Sequence, residues 1–123
     1  MATRTNRGPA LYAVAVGLLM LVMWGFLIAA GEVPELATGE AEIYFHLTAE
    51  FLTAFLLILG GAAVLLRRNR LGRLLTVGFG MLLYTLIVSP GYYVDLGKTP
   101  IVVMFAVLFV LTVISLGRVL LAD

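Results

Sequence analysis

His46 and Glu50 are the residues whose types and spacing carry chemistry in this chain. The stretch EIYFHLTAEFLTAF, residues 42 to 55, holds the only histidine and, four positions on, a glutamate, inside an otherwise apolar run. On a helix that spacing stacks imidazole and carboxylate on one face, one turn apart. Such a pair can pass a proton, hold a cation, or act as acid and base on a bound molecule.

Continuing in steps of three and four, the same face carries Thr53, Leu57, Gly60 and Gly61. It is the polar and small face, so it is expected to point at neighbouring helices, while Phe51, Leu52, Phe55, Leu56 and Leu59 meet lipid or other helices. With Tyr44 at a membrane interface, Glu50 lies six residues deeper, about 9 Å at the helical rise. A carboxylate there costs about 2.5 to 3.5 kcal/mol on insertion scales, so it must be protonated, paired or wetted. Counted inward from the same side, the first apolar run offers Trp24 at equal depth and the third offers Thr85 and Ser89; Glu42, Tyr92, Tyr93 and Asp95 fall near the mouth.

The expected ligand- or proton-binding set is therefore Glu50, His46, Trp24, Thr53, Thr85, Ser89, Tyr92 and Asp95, in a polar cleft closed below by apolar residues. No catalytic residue, cofactor or metal is assigned. A metal at His46 and Glu50 would have to draw further ligands from Asp95, Glu42 or water, because the chain has one histidine and no cysteine. The missing cysteines also exclude thiol catalysis, disulfide exchange and iron–sulfur ligation.

The run HLTAE, residues 46 to 50, resembles the His-Leu-x-x-Glu run in the second membrane helix of the sterol isomerases of the EXPERA family. The resemblance covers five residues of 123. It implies a bundle of short helices around an acid–base pair, and proton transfer at an alkene by His46 and Glu50 with Trp24 stabilising a carbocation. The five-residue run does not place that family's other acidic and aromatic site positions in this sequence.

The elements that must position these residues are read from hydropathy. Hydrophobic residues make up 63% of the chain and charged residues 12%, with a mean hydropathy of +1.12; soluble domains run about half apolar and a quarter charged. Four apolar blocks, residues 10–30, 43–66, 72–94 and 100–121, each approach the roughly twenty residues that span a bilayer as a helix. Continuous, non-alternating runs exclude a transmembrane barrel. The first block is longer than a signal peptide's apolar core and contains Trp24, so it is expected to persist as a helix.

The fold class expected is an all-α membrane protein, residues 1–123 forming one antiparallel four-helix bundle. Arg4, Arg7, Arg67, Arg68, Arg70, Arg73 and Arg118 flank the blocks on one side, against Lys98 alone on the other, so both termini are expected inside. Glu32, Glu35, Glu40, Glu42 and Asp95 give the outer side the opposite character. Arg7-Gly8-Pro9 is expected just before the first helix, Gly31 and Pro34 at its end, RRNRLGR as a tight basic turn, and Pro90 as a kink in the third. Close helix contacts are expected at Ala13, Gly17, Gly60, Gly61, Gly78 and Gly80.

Function then reads as binding or transport of a proton, cation or small ligand through the outward cleft. The alternatives are an accessory membrane subunit without chemistry, or an intramembrane acid–base isomerase acting on a lipid-like substrate. Arg67, Arg68, Arg70 and Arg73 are placed to meet anionic headgroups. The expected partners are the bilayer and a second copy or a larger membrane protein, and the expected location is the plasma membrane of a prokaryote. A net charge of +1, with no phosphate-binding glycine motif, gives nucleic acid and nucleotides no purchase.

Overall fold

The computed structural model describes residues 4–31, 39, 41–95 and 97–121, with the side chains of residues 4–6, 69 and 92 left outside that description. Glu32, Pro34, Glu35, Glu40 and Asp123 lie outside the described residues. Five helices make up the described chain: α1 (Arg4–Ala29), α2 (Ala41–Leu65), the single turn α3 (Asn69–Gly72), α4 (Leu74–Asp95) and α5 (Thr99–Leu121). The four long ones are each long and apolar enough to cross a membrane.

Three boundaries have visible causes. Gly31 adopts φ +72 just past α1, and Gly97 adopts φ +71 just past α4. After α4, the Gly97 amide donates to Val94 O (3.0 Å) and the Lys98 amide to Tyr93 O (3.0 Å), the paired bonds that close a helix over a left-handed residue. The same pairing ends α2, where Arg67 donates to Val64 O (3.1 Å) and Arg68 to Ala63 O (2.7 Å). There the left-handed residue is Arg67, φ +60, in a place where glycine would be free of strain.

Two expected boundaries are corrected. The first helix begins at Arg4, so Arg7-Gly8-Pro9 lies within α1 and not ahead of it. Pro9 falls in the second turn, where its missing N–H forfeits the helical bond to the carbonyl of residue 5. RRNRLGR is not only a turn, because its last residues wind into α3. Pro90 is inside α4, which continues to Asp95.

Packing follows the small residues. α2 lies between α1 and α4, α5 packs on α4 and on α1, and α2 and α5 occupy opposite corners. A Cβ on Gly17 would lie 2.8 Å from Ala54 O, and one on Gly61 would lie 2.7 Å from Ala10 O, so α1 and α2 touch backbone to backbone. A Cβ on Gly60 would strike the Leu74–Leu75 backbone, and one on Gly78 would lie 3.1 Å from Leu57 Cδ2, so α2 and α4 are equally close. Ala13 is fully buried at the same level. Gly80 is the exception: it is exposed, with open space where its side chain would be. Gly80 is two residues, or about 200°, round from Gly78, and so is turned away from α2.

Beside these glycines Leu57, Leu75 and Phe79 are fully buried, as the centre of the core. Tyr12 stacks on Phe79 with ring centroids 6.1 Å apart. Its hydroxyl lies 2.9 Å from Thr112 Oγ1 and 3.1 Å from Leu108 O, joining α1 to α5 at this end of the bundle. Thr112 itself donates to Leu108 O at 2.7 Å. At the opposite end Tyr93 of α4 and Phe105 of α5 meet with centroids 5.7 Å apart.

Candidate functional site

Between the core and that opposite end the four long helices enclose a cavity of about 570 Å³. α1 supplies Val16, Leu19, Met20, Met23, Trp24 and Leu27; α2 supplies Glu42, Ile43, His46 and Glu50. α4 contributes Leu82, Thr85, Leu86, Val88, Ser89 and Tyr93, and α5 contributes Met104, Phe105 and Leu108. On α2 the lining residues stop at Glu50, because one turn further in Thr53 and Leu57 are enclosed by protein.

Glu50 is 4% exposed. His46 Nε2 lies 3.5 Å from its Oε1, with the imidazole 35% exposed. The Ser89 hydroxyl donates to the same Oε1 from α4 at 3.4 Å. Both contacts are long, since O–H···O bonds cluster near 2.7 to 2.8 Å, so the carboxyl is steered more than clamped. Trp24 reaches in from α1, its indole edge-on to the His46 ring with centroids 5.8 Å apart. The indole N–H interacts with the Glu50 carboxyl, but not at hydrogen-bond geometry, and Nε1 is a buried donor without a partner.

The helical register thus brings Glu50, His46, Trp24, Thr85 and Ser89 together from three helices, with Glu42 also on the lining. Two expected members lie apart from this group. The Thr53 hydroxyl donates to Ala49 O of its own helix at 2.7 Å and does not line the cavity. Asp95 is exposed at the last residue of α4, beyond the lining. The Tyr92 side chain is outside the described residues, while its neighbour Tyr93 lines the cavity. Among the described residues no group of three or more His, Asp or Glu side chains is arranged to hold a metal ion.

Sequence reasoning missed the breadth of the apolar wall, above all Met20, Met23 and Met104. Methionines on almost wholly apolar helices look alike whether they face lipid or a void, so only their register against Glu50 distinguishes them. The Tyr12–Thr112 contact was missed as well, although each is a rare polar side chain in a nearly pure apolar helix.

The arrangement is that of a container: a largely apolar wall with a cluster of polar groups around Glu50, namely His46, Thr85, Ser89 and the Trp24 N–H, and with Glu42 and Tyr93 further toward the mouth. The chain belongs to the family described as a domain of unknown function, DUF8058, matched over residues 3–123. No curated protein and no solved structure matches it.

Proposed function

We propose that this chain is a four-span membrane protein that binds a small ligand in the cavity around Glu50, with His46 placed to move a proton between the carboxyl and the mouth. The observation that carries the reading is the void beside Glu50. A carboxyl serving only as a link between helices would be wedged against donors, whereas Glu50 has two long contacts, an unpartnered Trp24 N–H nearby and about 570 Å³ of space. Ligand sites are typically concave, mostly apolar, 300 to 1,000 Å³ in volume, with a few converging polar groups. An intramembrane acid lining such a space is by default a functional residue.

In this reading the cavity faces outward and both termini are inside, since the arginine-bearing ends of α1, α2, α4 and α5 share one end of the bundle and the cavity lies toward the other. Arg67, Arg68, Arg70 and Arg73, with Arg7 and Arg118, then lie where anionic headgroups would be. Arg67, Arg68, Arg70 and Arg73 are all exposed.

The test compares small molecules extracted from the protein purified in nanodiscs of one synthetic lipid. Wild type is expected to retain a small molecule that Ser89→Phe, which fills the cavity, loses at least tenfold while keeping its thermal stability. Glu50→Gln is expected to weaken retention. Equal extracts from wild type and Ser89→Phe would overturn the reading, and a Glu50→Gln protein that loses stability alone would make Glu50 a packing residue. A new product in lipid extracts of cells carrying wild type, absent with His46→Gln, would move the site from binding to acid–base catalysis.

A further inference from the structure

We propose that the ligand is a membrane-dissolved amphiphile whose head is a hydroxyl group, received between Trp24 and Glu50 from the lipid side of α1 and α5. This rests on the cavity being a ligand site. It adds the class of molecule.

The wall decides the body. Apart from the polar cluster and from Glu42 and Tyr93 toward the mouth, the lining is aliphatic, methionine or phenylalanine, with Val16, Leu19, Met20 and Met23 on one side and Leu86, Phe105 and Leu108 on the other. A water-soluble solute or a bare ion would leave this surface uncovered, whereas an alkyl or ring body covers it and fits the adaptable shape of methionine.

The polar cluster decides the head. Trp24 Nε1 is buried and needs an acceptor. The Glu50 contacts given by His46 and Ser89 both fall on Oε1, so a further donor is accommodated at the carboxyl. A hydroxyl accepts from the indole and donates to the carboxyl through one oxygen. An ammonium supplies donors alone and leaves the Trp24 N–H orphaned; an ether or carbonyl accepts but brings no donor to the Glu50 carboxylate.

The seam between α1 and α5 decides the route. Tyr12, Leu108 and Thr112 join the two helices below the cavity. Above that junction Leu19 of α1 and Met104 of α5 both line the cavity and are 51% and 37% exposed, so the wall there opens onto the apolar flank of the bundle.

Trp24 is the only tryptophan, so its emission reads the site directly. The full chain in nanodiscs of dimyristoyl phosphatidylcholine would be titrated with dodecanol, dodecyl methyl ether, dodecylammonium and butanol. Dodecanol is expected to give a saturable change, half-complete at a mole fraction at least tenfold below that of each other probe, and to give none with Ser89→Phe. Glu50→Leu should bring the alcohol and the ether within twofold of each other. Dodecylammonium binding as tightly as dodecanol would replace the hydroxyl class by an organic cation, and an equal ether would remove Glu50 from recognition. Butanol matching dodecanol would overturn the lipid-phase source. No saturable response to any of the four overturns the amphiphile class, while the extract comparison of wild type with Ser89→Phe decides independently whether the cavity holds a ligand at all.

Discussion

Trp24 presents an uncommon residue-scale situation, a buried N–H donor whose interaction with the nearby Glu50 carboxyl falls short of hydrogen-bond geometry. Leaving a buried donor unmatched costs about 1 to 3 kcal/mol, which an acceptor bound beside Glu50 would relieve. Trp24→Phe removes the donor and keeps an aromatic ring, and the volume it gives up adjoins space that is already empty. Thermal unfolding of the ligand-free protein is therefore expected to show a change within about 1 kcal/mol, well short of the 3 to 5 kcal/mol typical of emptying a well-packed aromatic site. A loss above about 2 kcal/mol would mean that the indole N–H is matched after all. The residues of this cluster were legible by depth alone, because Trp24, Glu50, Thr85 and Ser89 sit at one level when their helices are counted from the same end. Thr53 was not. It shares the face of Glu50 but lies one turn further in, where the cavity has ended and its hydroxyl turns back to Ala49 O.

Among the elements, glycine position sets how closely α2 can approach its neighbours. Without a strong hydrophobic force between helices in lipid, such approach supplies much of the association energy through dispersion contacts. Gly60 and Gly80 provide an internal contrast. A methyl on Gly60 would strike the Leu74–Leu75 backbone, which cannot give way as a flexible side chain would, so Gly60→Ala is expected to cost about 1 to 3 kcal/mol, as overpacking does. Gly80 faces open space, so Gly80→Ala is expected to be neutral or to stabilise α4 by up to about 1 kcal/mol from helix propensity. Parallel thermal unfolding of the two variants checks the pair, and equal effects would sink the packing argument. Small-residue composition marked both glycines as contacts, and only rotation about the α4 axis separates them, which a stripe of residue types records poorly when most of the helix is apolar. The four long elements were legible because their cause is length and hydropathy. The start of α1 was not, since Arg4 to Gly8 is polar and the helix there extends beyond the apolar run that announced it.

At the scale of the whole molecule, charge separates the two ends of the bundle, and in the proposed reading that asymmetry sets which way the cavity opens. The start of α1, the end of α2, the start of α4 and the end of α5 lie together, and they bring Arg7, Arg67, Arg68, Arg70, Arg73 and Arg118 to one end. A Cβ on Gly8 would lie 3.5 Å from Arg118 Nη1, so the first and last helices meet within this basic end. At the other end Lys98 is the only basic residue described, and Glu42 and Asp95 are exposed there. Short loops with arginine are retained on the cytoplasmic side, whereas acidic residues weigh little in that choice, so the cavity should open outward. Reporter fusions placed in the 31–40 segment and after residue 123 are expected to read outside and inside respectively. Replacing Arg67, Arg68, Arg70 and Arg73 together by glutamine removes most of the bias from the central connection and is expected to yield a mixed population of orientations, read as partial activity of both reporters. A first loop reporting from the cytoplasm in the unaltered chain would invert the bundle and turn the Glu50 cavity toward the cell interior. Under the proposed route the ligand source remains the bilayer in either case, because Leu19 and Met104 are exposed on the flank of the bundle and the charged ends decide only which leaflet that flank meets.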